Sequence, residues 1–140
     1  MISSIKKHEL INIIQNLRSF ENPKLELEQY ITDPVATADL FFHIAFEQGD
    51  LHDNIMVDLG SGPGNLSIAG AILGAKHVLA VDIDLESIAI HKANMNSLDL
   101  TESISLINAD ICDPNFPNLI KTKINALESN FNKILVVSNP

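Results

Sequence analysis

The sequence predicts an α/β domain: a parallel sheet with helices on both faces and a helical extension at the N-terminus. Two observations point there. From Ile55 onward, short apolar runs alternate with helical stretches long enough for right-handed crossovers, and a glycine-rich turn joins the first run to the first of those helices. A chain of 140 residues, 46% of them hydrophobic, suits one domain over 1–140, with a helical segment over 1–50 and a βαβ core over 51–140.

Ser3 to Phe20 carries Ile5, Leu10, Ile11, Ile14 and Leu17 at helical spacing, and Asn22-Pro23 breaks the pattern, so a helix packed by one face is expected. After LELEQYIT, Thr32 or Asp33 can cap a second helix with Pro34 in its first turn. Val35, Ala38, Phe41, Phe42, Ala45 and Phe46 would form its apolar side, and Gly49 would end it. Strands are expected at Ile55 to Leu59, His77 to Asp82, Ile104 to Asn108 and Lys133 to Ser138. Helices are expected between them at Asn65 to Leu73, Leu85 to Leu98 and Phe116 to Glu128. Four strands are few for a doubly wound sheet, and the last one runs into the final residue, where such folds place ligand loops, so a truncated chain is expected.

A formal charge of −9 repels phosphate, so a nucleic-acid substrate would need cations from elsewhere. The single cysteine, Cys112, excludes an intrachain disulfide and is expected to be a small buried thiol. Histidines 8, 43, 52, 77 and 91 show no metal-ligand spacing, and no metal is expected. The N-terminus lacks a continuous apolar stretch and a cleavage site, and no segment approaches ~18 uninterrupted apolar residues, so a cytoplasmic or nuclear protein is expected.

The first strand leads into Val57-Asp58-Leu59-Gly60-Ser61-Gly62-Pro63-Gly64-Asn65. Gly60, Gly62 and Gly64 let the backbone turn sharply and approach a ligand closely, and the helix N-terminus behind offers free N–H groups. The spacing is G-x-G-x-G, not the G-x-G-x-x-G of dinucleotide sites. Asp58 at the mouth of this loop would repel a pyrophosphate but accept hydrogen bonds from an ammonium group, which favours the methionine end of S-adenosylmethionine over NAD. A tight strand-to-helix turn is the plain alternative.

The second strand ends in Val81-Asp82-Ile83-Asp84, where an acidic residue grips ribose hydroxyls in doubly wound folds. Asp82 is the ribose candidate, Ile83 would pack on adenine, and Asp84 reads more readily as the cap of the next helix. Asp110, after the third strand and before Ile111, would accept a hydrogen bond from the adenine amine, unless it is a plain surface carboxylate. Acidic groups at the ends of three successive parallel strands converge on one crevice.

The chain closes on Val136-Val137-Ser138-Asn139-Pro140, which looks like the opening of the N-P-P-(F/Y) motif of amino-group methyltransferases. Alone, Asn139-Pro140 would read as a turn dipeptide. Together with LEQYITDPVATA, VDLGSGPGNLSIA, AVDID and NADI, it resembles the small archaeal and eukaryotic class I methyltransferases of adenine N6 in small-subunit ribosomal RNA, over roughly Leu25 to Pro140.

That resemblance implies a Rossmann-like sheet of order 3-2-1-4 in the part present, S-adenosylmethionine as cofactor, and RNA as substrate. It implies that Asn139 and a proline carbonyl orient the target amine toward the methyl carbon, with positioning supplying most of the rate. It makes Gln29, Tyr30, Thr32, Asp58, Gly60, Gly62, Gly64, Asp82, Ile83, Asp110 and Ile111 cofactor contacts and Asn139 and Pro140 the catalytic pair, although Tyr30 reads equally as a loop tyrosine packed on the core. It also implies a small zinc-containing activator protein that adds a strand at the edge Ser103 to Asn108. The chain departs from the family at Ile31, at Ser61 to Pro63, and in lacking the second proline and the aromatic residue. Methylation of a protein glutamine amide, and a cofactor-binding fragment that transfers nothing, remain as rivals.

Overall fold

The computed structural model describes residues 5–27, 29, 32–127 and 130–139; Ser3, Tyr30, Glu128 and Pro140 lie outside them. The helices are α1 (Lys7–Gln15), α2 (Pro34–Phe42), α3 (Asn65–Ile72), α4 (Leu85–Ser97) and α5 (Phe116–Ala126), and the strands are β1 (Ile55–Leu59), β2 (His77–Asp82), β3 (Ile104–Asn108) and β4 (Ile134–Ser138). The sheet is parallel throughout, in the order β3-β2-β1-β4. Leu59 therefore lies level with Val81 on one side and Ser138 on the other, so β1, β2 and β4 all end at one rim.

Alternation along the strands sorts the core into two layers. Met56, Val78 and Ala80 face a layer built with Leu10, Ile14, Phe41, Ile68 and Met95, from α1, α2, α3 and α4. Val57, Leu79, Val81 and Ile107 face the opposite way, covered by Phe116, Leu119, Ile120 and Ile124 of α5. The first face is clad by four helices; on the second, α5 covers β1 to β3 and leaves Ile134 and Val136 of β4 exposed. Within the described residues no helix is long and apolar enough to cross a membrane.

Two expectations need correction. Cys112 is exposed, because it falls in the turn after β3 and not in a strand or helix core. In α2 the buried side is Thr37, Ala38 and Phe41, continuing to Ile44, whereas Val35 and Phe46 are exposed. The physical reason is ordinary helical spacing: Thr37, Ala38, Phe41 and Ile44 share one side, which turns Val35 and Phe46 outward, and a π-type turn, His43–Gln48, continues α2 until Gly49 ends it in a left-handed conformation. Of the two candidate caps it is Asp33 that takes the role, its carboxylate accepting from the Ala36 N–H at 2.7 Å, as the sequence allowed.

Candidate cofactor crevice

The glycine turn is held to the sheet from below. The N–H groups of Gly60 and Ser61 both donate to the Val81 carbonyl at 2.9 Å, which folds the chain across the end of β2. Gly64 then opens α3 at φ +103°, and a side chain there would meet the His91 ring at 2.3 Å. Glycine is required at that position twice over, for conformation and for space.

Asp58 is fully buried beneath the turn, not placed at its mouth. One oxygen accepts from the Ser67 hydroxyl at 2.6 Å; the other, Oδ1, has no partner among the described residues. Burial pushes the carboxyl up to about 6, against the pull of Ser67, and the Asp82 charge adds to the rise. The Oγ atoms of Ser19 and Ser61 are also buried and unpartnered, and with Asp58 they line a cavity of about 20 Å³ that Thr32 and Asn139 help to close. Buried polar groups are ordinarily paired. Among the described residues the unpaired ones belong to Ser19, Asp58, Ser61 and His91, all of them at this turn.

A second cavity of about 350 Å³ adjoins the first, with Thr32, Ser61 and Asn139 in both walls. It brings together Gly60, Gly62, Asp82, Ile83, Asp110 and Ile111, so the converging strand ends do form one crevice. Asp82 braces it: one carboxylate oxygen accepts from Gly62 N–H at 2.8 Å and the other from Asp84 N–H at 2.9 Å. Ile83 and Ile111 are exposed and present apolar walls. One oxygen of Asp110 accepts from the Cys112 N–H at 2.9 Å.

Asp84 caps α4 by accepting from the Ser87 N–H at 3.2 Å. It also anchors two residues before α2, accepting from Lys24 Nζ at 2.6 Å and Gln29 Nε2 at 2.8 Å. Burial works to raise its pKa, but Lys24, Gln29 and Ser87 prevail and hold it well below the usual carboxylate range. Gln29 lines the larger cavity with its amide already engaged. Thr32 Oγ1 accepts from Asn139 Nδ2 at 2.7 Å, which ties the end of β4 to the segment before α2. Tyr30 and Pro140 fall outside the described residues.

Sequence reasoning missed Ser19, Phe20 and Leu27, which line the cavities, and Asn94 of α4. No local motif marks them. The one available signal is the polar Asn94 inside a helix, and it says nothing about what that side chain reaches.

A protein-family model described as ribosomal protein L11 methyltransferase (PrmA) matches residues 37–136. An uncharacterised protein of Methanocaldococcus jannaschii is 35% identical over 136 residues, 97% of this chain and 58% of that protein. The rRNA N(6)-adenosine-methyltransferase METTL5 of Danio rerio is 33% identical over 108 residues, 77% of this chain and 52% of that protein. A crystal structure from Pyrococcus horikoshii, described as that of a candidate RNA methyltransferase, superposes with a TM-score of 0.73 at 28% identity, covering all of this chain and 60% of that one. The chain thus spans about half the length of the curated relatives it matches. The resemblance carried by the LEQYIT, glycine-loop and terminal motifs agrees with these relatives. With the family model matching residues 37–136 and a sheet of order 3-2-1-4, the chain belongs to the class I methyltransferases, in the family described as ribosomal protein L11 methyltransferase (PrmA).

Proposed function

We propose that the chain is the cofactor-binding part of an S-adenosylmethionine-dependent methyltransferase that modifies the N6 amino group of adenine in RNA, ribosomal RNA by its resemblance. The observation that carries the cofactor reading is the joined pair of cavities at the strand ends: an ammonium-sized recess holding Asp58 Oδ1 without a partner, opening beside an apolar-walled crevice with Asp82 at its rim. These residues fit the molecule part by part. Asp58 and Ser61 would accept from the methionyl ammonium, a charge-assisted pairing that supplies what the buried carboxylate lacks. Asp82 uses one lone pair of each oxygen on backbone N–H groups and retains others for ribose hydroxyls. Ile83 and Ile111 would flank the adenine ring, with Asp110 accepting from its amine.

S-adenosylmethionine supplies a methyl group on a sulfonium, an electrophile that needs only a well-aimed nucleophile. This chain's contribution to aim is Asn139. Its Nδ2 is held by Thr32, which sets the plane of the amide whose carbonyl would accept from the target amine, with the Pro140 carbonyl as second acceptor. The substrate reading rests on the family resemblance and on the relatives named for adenosine in rRNA. A net charge of −9 leaves the cations that hold RNA to be supplied by the remainder of the protein or by a partner. A small zinc-containing activator fits here, because β3 is an outer strand of the sheet and its edge can be extended by a partner strand.

Isothermal titration calorimetry of this chain with S-adenosylmethionine, with NADH as control, tests the reading. Micromolar binding that Asp82→Ala weakens at least tenfold, about 1.4 kcal/mol, is expected. A folded chain that binds NADH and ignores S-adenosylmethionine would overturn it.

A further inference from the structure

Ser19 lies between α1 and α2, outside the residues matched by the family model, yet it lines the small recess under the glycine turn and its Oγ is buried. Its place there is built. Asn94 of α4, 2% exposed, brackets the preceding residue: its Oδ1 accepts from Arg18 N–H at 2.9 Å and its Nδ2 donates to the Arg18 carbonyl at 3.0 Å. The same Nδ2 donates to the Pro63 carbonyl at 2.8 Å, so one buried amide fastens the N-terminal arm directly to the glycine turn. The next residue, Phe20, lies across that turn, its ring 3.3 Å from where a Gly62 side chain would begin, and forms a wall of the larger cavity.

The recess of about 20 Å³ holds one group the size of water or of an ammonium. Three of the residues that line it carry a buried oxygen with no partner among the described residues: Asp58 Oδ1, Ser61 Oγ and Ser19 Oγ. An ammonium has three N–H donors. We propose that Ser19 is a further cofactor-binding residue, its hydroxyl accepting from the ammonium of the amino-acid end beside Asp58 and Ser61, so that the N-terminal arm is part of the site. This rests on the cofactor reading above and deepens it. The arm then does two jobs at once: Ser19 completes the recess for the charged end, and Phe20 shapes the crevice for the nucleoside.

The test compares S-adenosylhomocysteine with 5′-methylthioadenosine, which has the same nucleoside and no amino-acid end, binding to the wild-type chain and to Ser19→Ala by calorimetry. Removing one hydrogen bond to a charged group is expected to weaken S-adenosylhomocysteine about tenfold or more and to leave 5′-methylthioadenosine unchanged. Ser19→Thr, which keeps the hydroxyl, should preserve the wild-type ratio, and Ser19→Cys gives a second reading of the loss should the alanine variant fold poorly. A ratio unchanged in Ser19→Ala and Ser19→Cys, or an equal loss for both ligands, overturns the assignment while the cofactor reading stands. A wild-type chain that binds neither ligand overturns both.

Discussion

The two ends of β1 each bury a polar side chain, and they treat it in opposite ways. Asn54, just before the strand, donates from Nδ2 to the Asp50 carbonyl and accepts at Oδ1 from the N–H groups of Asn132 and Lys133, closing the base of the sheet. Asp58, inside the strand near its other end, has one oxygen satisfied by Ser67 and one left over. Equal burial therefore means different things. A paired group such as Asn54 contributes stability, whereas an unpaired carboxylate weakens the unliganded fold and is retained where a ligand supplies the missing donor.

The largest effect is expected at the turn that separates structure from site. Gly64→Ala forces a side chain at φ +103° into the His91 ring and should lower the unfolding free energy by more than about 3 kcal/mol in urea titration. Next, Asn54→Ala strips the base of its bonds and should cost about 2 to 3 kcal/mol by the same titration, with cofactor affinity of the folded fraction unchanged. An equal loss of affinity would break the division between the two ends.

Asp58→Asn should do the reverse, stabilising the unliganded chain at pH 7 by about 2 kcal/mol while weakening S-adenosylmethionine. The gain depends on pH in a defined direction. Burial raises the Asp58 carboxyl from 3.8 to about 6, so its contribution favours the fold below 3.8 and is lost as pH rises through 6. Burial lowers His91 from 6.5 to about 4, so its contribution favours the fold above 6.5 and is lost as pH falls through 4. In the wild type the two trends oppose each other across the same window, and Asp58→Asn leaves the His91 trend alone. The advantage of the variant, followed by unfolding titrations at successive pH values, should therefore shrink from pH 7 to nothing near pH 4. An advantage that persists at pH 4 would mean that Asp58 is not the group responsible.

Much of this was legible without coordinates. The strands β1, β2 and β3 end where their apolar runs end, and α3 to α5 fall in the intervals that the crossovers require, because a parallel strand clad on both faces must be apolar along its whole length. Asp84 as a helix cap followed from its position before Leu85-Glu86-Ser87. The side of α2 that faces the core was misread at Val35 and Phe46 because apolar residues lie all round this segment and composition does not choose among them, while the polar Thr37 takes a buried position. Cys112 was misread because thiol burial is a statistical habit and this residue sits in a turn.

The features readable from neighbouring residues are local and periodic: the alternation that makes the sheet, the G-x-G-x-G spacing that makes the turn, and the acidic residues at the strand ends. Long-range packing is what puts Asp58 beneath the turn with an oxygen unpaired among the described residues, lets Thr32 hold Asn139, and brings Ser19 beside the recess through Asn94. The physical reason is separation along the chain. A strand or cap is dictated by neighbours a few residues away, whereas the Arg18–Asn94 bonds join residues 76 apart and the Thr32–Asn139 bond joins residues 107 apart. Such contacts exist only once the sheet has closed the distance.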